Sequence, residues 1–397
     1  MEDQIEDRPC LTSIRVRDYH LLVMGSGDSK LSGRTNLGRT KGDSLFLVFF
    51  AALVIIPALG QGNQPTKALS QREREAVYQK FLKLDQIPAG AIELELKNTI
   101  PSEKEIEEKE IFLRNAPRIA IDDRGHIYIP QGYGICEIDE LDEEGKLVRK
   151  YNKKGQGPGD LLSPEYVFFY NQQVIVHDSQ PRRMSFFDRD WKYIKSFSYF
   201  KSYYPFALGS NGLFYCSDSS GDKLIYILDL DGKLIGSFGE RPYRGRSTLN
   251  MLVLGVSPAG SIWVGMQALG KLKRFSSAGR LAGEIDIVEI SSKLIKNRLK
   301  ENLQWAEEGE QKWYGIIREI DFIGEDVLVL DGGGLVQPIF RFDRNGRLKD
   351  VYYVKPKMQV HLKSLHVRVE KNGEERFYIW QDHDYDECRI GVYGRKK

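Results

Sequence analysis

The chain has 397 residues, of which 41% are hydrophobic and 11% aromatic, and its 58 basic and 56 acidic residues give a net charge of +2. This balance creates no global electric field for nucleic acid or for an anionic membrane, so we expect no nucleic-acid partner. The length fits two average domains or one large β domain. The 20 Tyr, 19 Phe and 38 Gly favour strands joined by tight turns.

The uncharged run Leu45–Gly60 follows several basic residues. At roughly 16 residues it is shorter than the ~20 that a membrane-spanning helix needs. Its last residues are small, as signal peptidase requires, so we predict that residues 1–60 are an N-terminal extension ending in a signal peptide. The mature chain would then be periplasmic or extracellular. Two alternatives stay open: an uncleaved anchor, which would tie the chain to a membrane, and a core helix of a cytosolic protein.

Residues 61–116 are predicted to hold a linker, a short helix and one strand. The helix is predicted at Gln71–Asp85, where apolar residues recur at helical spacing. The strand is predicted at Ala91–Lys97, where apolar and charged residues alternate.

From residue 117 to residue 397 a pattern of two tight turns repeats. The first turn joins an apolar strand to a strand rich in β-branched and aromatic residues, and its six copies are centred on Gly125, Gln172, Gly212, Gly260, Gly324 and Gly373. The second turn follows about 20 residues later in the first five copies, and its centres are Gly145, Trp191, Gly232, Gly279 and Gly346. Four strands in each period of roughly 40–50 residues are the signature of a propeller blade.

The sixth copy lacks a fourth strand, and the spare strand at Ala91–Lys97 can fill that place and pair both open edges. We therefore predict an all-β fold, a six-bladed β-propeller of four-stranded antiparallel blades, with its ring closed by a strand at about residues 91–97. The greater spacing between the fourth and fifth copies predicts a helical insertion at residues 287–308, which has apolar residues at every fourth position.

The segment Lys154–Pro164 (KGQGPGDLLSP) resembles the glycine-rich link between blades of NHL-repeat propellers, and the repeats are similar to theirs in texture. The resemblance covers about residues 117–397 and points to the secreted six-bladed β-propeller proteins of Gram-negative bacteria. The second repeat departs from the pattern because it lacks both turn glycines. The resemblance implies a fold that hosts enzymes and pure binders alike, so it does not give the function.

In a propeller all the tight turns of this kind lie on one face, the tight-turn face. The longer connections lie on the opposite, long-loop face, and they are Pro130–Ile135, Asp178–Arg183, Tyr199–Pro205, Glu240–Asn250, Ile287–Trp313, Asp331–Pro338 and Pro356–Leu365. Binding usually occurs on loops held by a rigid scaffold. The candidate ligand-binding residues on this face are Tyr133, Arg182, Arg183, Tyr203, Tyr204 and Arg244. Tyrosine beside arginine suits sugar rings, peptides and anionic groups, although the same residues also suit loop packing.

A group of carboxylates with a histidine lies at Gln381–Glu387, and Asp382, His383 and Asp384 are candidate ligands of a divalent metal. Their spacing matches no calcium loop or zinc motif, and a solvated loop has the same composition. The nucleophile pattern GxSxG and the metal pattern HExxH are absent, so we predict no catalytic residue.

The predicted function is a non-catalytic binding or scaffold module of the cell envelope, without a cofactor, whose ligand is a peptide, a glycan or a partner protein. The alternative is a metal-dependent lyase or lactonase with its site in the central channel.

Three cysteines, Cys136, Cys216 and Cys388, follow the signal segment. An odd number without a CxxC pair excludes a disulfide framework and a cysteine zinc site. We expect them to be buried as small apolar residues, with a Cys136–Cys388 disulfide as the alternative.

Overall fold

The structure of the chain is a computed structural model. It describes residues 76, 79, 83, 85–102, 104–106, 113, 118–132, 134–199, 201, 203–218, 221–243, 245–355, 360–383 and 387–396. The chain divides between Ala68 and Leu69, and every described residue belongs to the second unit. The predicted signal segment therefore lies outside the described residues, as does most of the predicted helix Gln71–Asp85. No helix of the described residues is long and apolar enough to cross a membrane.

The first strand, β1, spans Ile92–Ile100. Four separate four-stranded sheets then follow along the chain, each with its strands in sequence order and every neighbouring pair antiparallel. Sheet 1 contains β2 (Ala120–Ile121), β3 (Ile127–Gln131), β4 (Glu137–Leu141) and β5 (Leu147–Tyr151). Sheet 2 contains β6 (Pro164–Tyr170), β7 (Gln173–Asp178), β8 (Arg183–Phe187) and β9 (Tyr193–Ser198). Sheet 3 contains β10 (Tyr203–Leu208), β11 (Phe214–Asp218), β12 (Lys223–Leu228) and β13 (Leu234–Glu240). Sheet 4 contains β14 (Leu252–Val256), β15 (Ile262–Met266), β16 (Lys271–Phe275) and β17 (Leu281–Asp286).

The seven remaining strands form one eight-stranded sheet together with β1. They are β18 (Ile317–Ile323), β19 (Asp326–Asp331), β20 (Ile339–Phe342), β21 (Leu348–Val354), β22 (Val360–Val369), β23 (Glu375–His383) and β24 (Glu387–Arg395). Their spatial order is β18-β19-β20-β21-β1-β24-β23-β22, so β1 lies in the middle, parallel to β21 and antiparallel to β24. The two ends of this sheet, β18 and β22, contact each other, which means that the sheet folds back on itself.

The predicted helical insertion is confirmed. It consists of α1 (Ile287–Ile290) and α2 (Lys293–Glu307), and a 3-10 turn at Thr248–Asn250 contacts α2. The Ser292 side chain caps α2 by accepting from the Ile295 N–H. The buried Asn302 amide fixes the helix by donating to the carbonyls of Ala268 and Tyr314, at 2.8 and 2.9 Å.

The turn centres predicted from the repeats all adopt a left-handed backbone conformation. In four of its five copies the second turn is built on an aspartate whose carboxylate accepts two backbone N–H groups, and the copy centred on Gly279 has Ser276 in that place. Asp343, for example, accepts from Asn345 and Arg347 at 2.8 and 2.9 Å. This pattern leaves the chain pointing back along the preceding strand, as a hairpin requires.

Apolar layers between successive sheets form the core. Sheet 1 packs on sheet 2 through Tyr128 and Phe187, and on the strands β23 and β24 through Ile127 and Trp380. Cys136, Cys216 and Cys388 are buried and none of them forms a disulfide, so the Cys136–Cys388 disulfide alternative is wrong.

Candidate functional site

The strands that begin neighbouring sheets contact one another, as β2 and β6, β10 and β14, and β14 and β18 do, so they line the interior between the sheets. The two end strands of the eight-stranded sheet, β18 and β22, contact each other as well. Since tight turns connect each first strand to the second, the opposite, starting end of each first strand lies toward the long-loop face.

Six side chains from this inner set form what we call the inner-strand cluster. Its members are Arg118, Tyr166, Tyr204, Glu319, Asp321 and His366. Arg118 precedes β2, and the others lie on β6, β10, β18 and β22. Glu319 and Asp321 are two residues apart in β18, which places both side chains on the same face of the strand.

Arg118 is the centre of the cluster. Its guanidinium donates through Nε to Glu319 at 2.8 Å and through a terminal nitrogen to the other Glu319 oxygen. A further terminal nitrogen lies 3.5 Å from the Leu254 carbonyl oxygen, and the guanidinium carbon lies 5.4 Å from the ring centre of Tyr166. Burial lowers the pKa of Arg118, but the charge and hydrogen bonds of Glu319, with smaller contributions from Tyr166 and Tyr204, together raise that pKa above its ordinary value. Arg118 is therefore a fixed positive charge that links four units across the interior.

Two tyrosines connect this charge to the solvent. Tyr166 is 4% exposed and Tyr204 is 43% exposed, and their ring centres are 5.7 Å apart. Burial, followed by the neighbouring Tyr204, raises the pKa of Tyr166 well above its usual range. Tyr204 is thus the most solvent-exposed member of the cluster.

Asp321 and His366 form the last part of the cluster. The Asp321 carboxylate accepts from the Val367 N–H at 2.5 Å and lies 3.3 Å from His366 Nδ1. Burial raises the pKa of Asp321, while His366 and, more weakly, Arg118 lower it. The carboxylate therefore orients the imidazole on the inner strand β22.

A buried aromatic wall supports the tyrosines. His177 is 1% exposed and its Nε2 lies 2.5 Å from the Tyr199 hydroxyl oxygen. Burial alone lowers the pKa of His177 to about 3, so its ring is neutral at physiological pH. Tyr203 packs against Tyr199 with ring centres 5.9 Å apart and is 7% exposed.

The structure brings together some of the residues predicted to bind a ligand. Tyr203 and Tyr204 are consecutive in β10, one packed in the aromatic wall and the other exposed. Arg182 has a left-handed backbone, and its carbonyl accepts from the Tyr199 N–H at 3.0 Å, close to that wall. Tyr133 and Arg244 lie outside the described residues.

Arg183 is engaged in the scaffold. It is 7% exposed and donates to the carbonyls of Gln156 and Gly157, at 3.0 and 3.2 Å. It also lies 3.5 Å from the Asp178 carboxylate. These contacts hold the glycine-rich link Lys154–Pro164 against sheet 2, and a role of Arg183 toward a ligand stays a prediction.

The predicted metal ligands cannot be placed in a site. Asp382 and His383 belong to β23, but their side chains lie outside the described part of the chain, as does all of Asp384. Elsewhere, within the described ranges, no three His, Cys, Asp or Glu side chains are arranged to hold a metal ion. The metal site and the lyase or lactonase alternative therefore stay predictions.

Sequence analysis missed most of the inner-strand cluster. Arg118 and Glu319 are 201 positions apart, and neither belongs to a long loop or to a recognisable motif. The available signal was their place at the starts of first strands, where the repeats put inward-facing residues.

Comparison with known proteins shows the fold. No family model matches the sequence, and no curated protein matches it. One similar solved structure is that of a protein from Bacteroides fragilis NCTC 9343 that is described as exported. The TM-score is 0.54 and the sequence identity 12%, over 79% of this chain and 98% of that one.

This arrangement is a β-propeller. The propeller prediction is thereby confirmed, and so are its four-stranded antiparallel sheets.

Two further structures are more distant. Virginiamycin B lyase from Staphylococcus aureus has a TM-score of 0.45 and 13% identity over 72% of this chain and 98% of its own. Regucalcin, a calcium-binding protein from Agrobacterium tumefaciens, has a TM-score of 0.48 and 10% identity over 78% of this chain and 97% of its own. At this distance neither supports an inference about the activity of this chain.

Proposed function

We propose that the chain is an exported six-bladed β-propeller of the NHL-repeat type that binds a peptide, a glycan or a partner protein on its long-loop face without catalysing a reaction. The predicted signal segment and the name of the Bacteroides protein support export. The link Lys154–Pro164 supports the NHL-repeat assignment.

The number of blades follows if the eight-stranded sheet is two blades. One blade is β18 to β21, and the other is β22 to β24 completed by β1, so that β1 closes the ring. Two contacts support this division. The ends β18 and β22 lie against each other, and Leu330 packs with Leu362 and Phe377 as residues of facing sheets do. With sheets 1 to 4 the total is six blades.

One observation carries the binding proposal: Tyr204 is exposed at the start of an inner strand, next to the buried Tyr166, whose ring lies against Arg118. Aromatic side chains in such positions supply a large contact area at a small entropic cost, which is why they dominate binding hot spots. Tyr203 supports the position from within the aromatic wall, and Arg182 is joined to that wall through its backbone.

The test compares two tyrosines in the full chain. A glycan array and a displayed peptide library are first screened for ligands, and affinities are then measured for Tyr204→Ala and for Tyr193→Ala. Tyr193 is the matched control, because it is 38% exposed but lies on the outer strand β9. We expect Tyr204→Ala to weaken binding at least about tenfold and Tyr193→Ala to leave it unchanged. Ligands whose binding ignores Tyr204, or the absence of any ligand from both screens, would overturn the proposal.

A further inference from the structure

We propose that the inner-strand cluster is a binding site for a guanidinium group, in which Arg118 is a tethered occupant that an arginine side chain of a peptide ligand replaces. This inference rests on the binding role proposed above and names the chemical class of the ligand.

The site contains the three groups that recognise a guanidinium. The Glu319 carboxylate accepts two hydrogen bonds from one edge of the group, the Leu254 carbonyl lies near the third nitrogen, and the Tyr166 ring covers its face. A carboxylate accepts two parallel hydrogen bonds from the planar fork of a guanidinium, which a lysine ammonium cannot provide. An aromatic face within about 6 Å adds a cation–π attraction.

These three groups are supplied by the scaffold independently of Arg118. Glu319 belongs to β18, Leu254 to β14 and Tyr166 to β6, whereas Arg118 enters from the segment before β2. Glu319 and Tyr166 are each 4% exposed, and one Glu319 oxygen also accepts from the Ile320 N–H at 3.1 Å. The receptor is therefore held in shape by three different strands, and its buried carboxylate requires a cation whatever the source.

The occupant is more weakly held than its receptor. The strand that follows Arg118, β2, has two residues and pairs with β3 only through Ala120 and Ile121. The Arg118 side chain is 19% exposed, and Tyr204 beside it opens toward the long-loop face. An arginine side chain from outside can therefore reach the Glu319 carboxylate by the route that Tyr204 marks.

A simpler role for Arg118 is a permanent brace between the units. The two roles differ in one respect. A brace needs a guanidinium that is covalently linked to the backbone at position 118, whereas a binding site also accepts a free guanidinium. Chemical complementation separates them, since a small molecule can supply the missing guanidinium but not the missing backbone link.

The experiment uses the full chain with Arg118→Ala and adds millimolar ethylguanidinium or ethylammonium. We expect ethylguanidinium to raise the lowered midpoint of thermal unfolding and to bind at one site at least about tenfold more tightly than ethylammonium. Arg274→Ala is the matched control. Arg274 lies 5.8 Å from the Trp263 ring and donates to the Ala282 carbonyl at 3.3 Å, with no carboxylate among its described partners. We expect ethylguanidinium and ethylammonium to have equal effects on the thermal unfolding of Arg274→Ala.

The second arm measures short peptides with a central arginine or a central lysine. The arginine peptide should bind Arg118→Ala at least about tenfold more tightly than the unchanged protein, because its site is then vacant. If Arg118→Ala does not fold alone, the variant is refolded in the presence of each additive. We then expect a folded protein with ethylguanidinium and none with ethylammonium.

Equal effects of the two additives would overturn the guanidinium site. Equal binding of the arginine peptide to both proteins would overturn the exchange of Arg118. Ligands that depend on Tyr204, found together with equal effects of the additives, would overturn this inference while leaving the binding role intact.

Discussion

Trp191 occupies a turn position where the four other copies of the same turn have glycine. Its φ is 61°, a left-handed conformation that costs an ordinary residue roughly 1–2 kcal/mol. The side chain offsets this cost. Its ring is stacked on Tyr151 with centres 4.7 Å apart, it is 6% exposed, and its N–H donates to Glu140 at 3.1 Å. Sheets 1 and 2 are joined at this point by the turn itself.

Replacing Trp191 by glycine should therefore destabilise the protein although glycine suits the backbone. Relief of the strain is outweighed by loss of a buried aromatic side chain, so we expect Trp191→Gly to lower the free energy of unfolding by about 2–3 kcal/mol. Urea denaturation measures this, and Trp191→Phe, which keeps a ring, should lose less. A Trp191→Gly protein as stable as the unchanged one would show that the stacking contributes little.

Individual residues were predictable where a repeat constrains them. The positions of the turn centres follow from spacing alone, whereas Tyr204, predicted in a long connection, lies within strand β10 and is exposed there. The inner-strand cluster did not follow, because Arg118 and Glu319 meet only after sheets far apart in sequence have packed. A single sequence contains no record of such a contact.

At the scale of elements, the helical insertion is fastened to the propeller by buried charges. The Asp331 carboxylate, at the end of β19, accepts from the Gly333 N–H at 2.8 Å and from the Ser291 hydroxyl, just before α2, at 3.2 Å. The Asp85 carboxylate accepts from the Val336 N–H at 2.9 Å. Burial, with repulsion from Asp85, raises the pKa of Asp331 to about 7, against the opposing effects of the Gly333 N–H and of Arg298.

This shift predicts a pH-dependent cost. The pKa of Asp331 is higher in the folded protein than in the unfolded chain, so the folded protein binds the proton more strongly, and stability falls as the pH rises from about 4 to about 7. The slope for one group is about 1.4 kcal/mol per pH unit. We expect Asp331→Asn to gain stability relative to the unchanged protein across this window and to show a constant difference above it.

Urea denaturation at several values between pH 5 and pH 8 tests the prediction (roughly the window of the shift). The titration of His177 is common to both proteins and cancels in the difference. Asp343→Asn is the control, since the backbone N–H of Arg347 lowers the pKa of Asp343. Any effect of this substitution on the pH dependence of stability should therefore fall below this pH window. A difference for Asp331→Asn that does not change with pH would contradict the assignment.

The insertion itself could be predicted from sequence, and its attachment could not. Apolar residues at every fourth position and a capping serine are local signals. The Ser291 hydroxyl and the Asp331 carboxylate to which it donates are 40 positions apart, so this attachment depends on tertiary structure that no local pattern contains.

At the scale of the whole molecule, β1 joins two parts of the chain. Leu94 pairs with Val354 of β21 and with Arg395 of β24, is 2% exposed, and packs in the core with Leu328 and Phe377. Without this strand both neighbours would present an open edge.

Two leucines of β1 measure this contribution with the same substitution. Leu94→Ala should lower the free energy of unfolding by about 2–5 kcal/mol because it leaves a cavity in the core. Leu96, which is 46% exposed, should change the same free energy by less than about 0.5 kcal/mol when replaced by alanine. Chemical denaturation of both variants is sufficient, and equal losses would mean that β1 is not anchored through Leu94.

The overall architecture was the most predictable property, because each repeat contains the same local sequence pattern of strand, turn and strand. The way the strands divide into sheets was less predictable. The eight-stranded sheet exists because one strand, β1, pairs with two partners, one of them parallel. The ligand is least predictable, since long loops vary without a repeat to compare them with.

The position of β1 has a consequence for how the protein is made. Glu93 and Lys396, which form an ion pair at 3.0 Å beside the β1–β24 ladder, are 303 positions apart. A ribosome adding ~5–20 residues per second releases β1 tens of seconds before its antiparallel partner exists. Throughout that time the nascent strand has a free edge, and its alternating Glu93, Glu95 and Lys97 are the charges that keep such an edge from pairing with another chain.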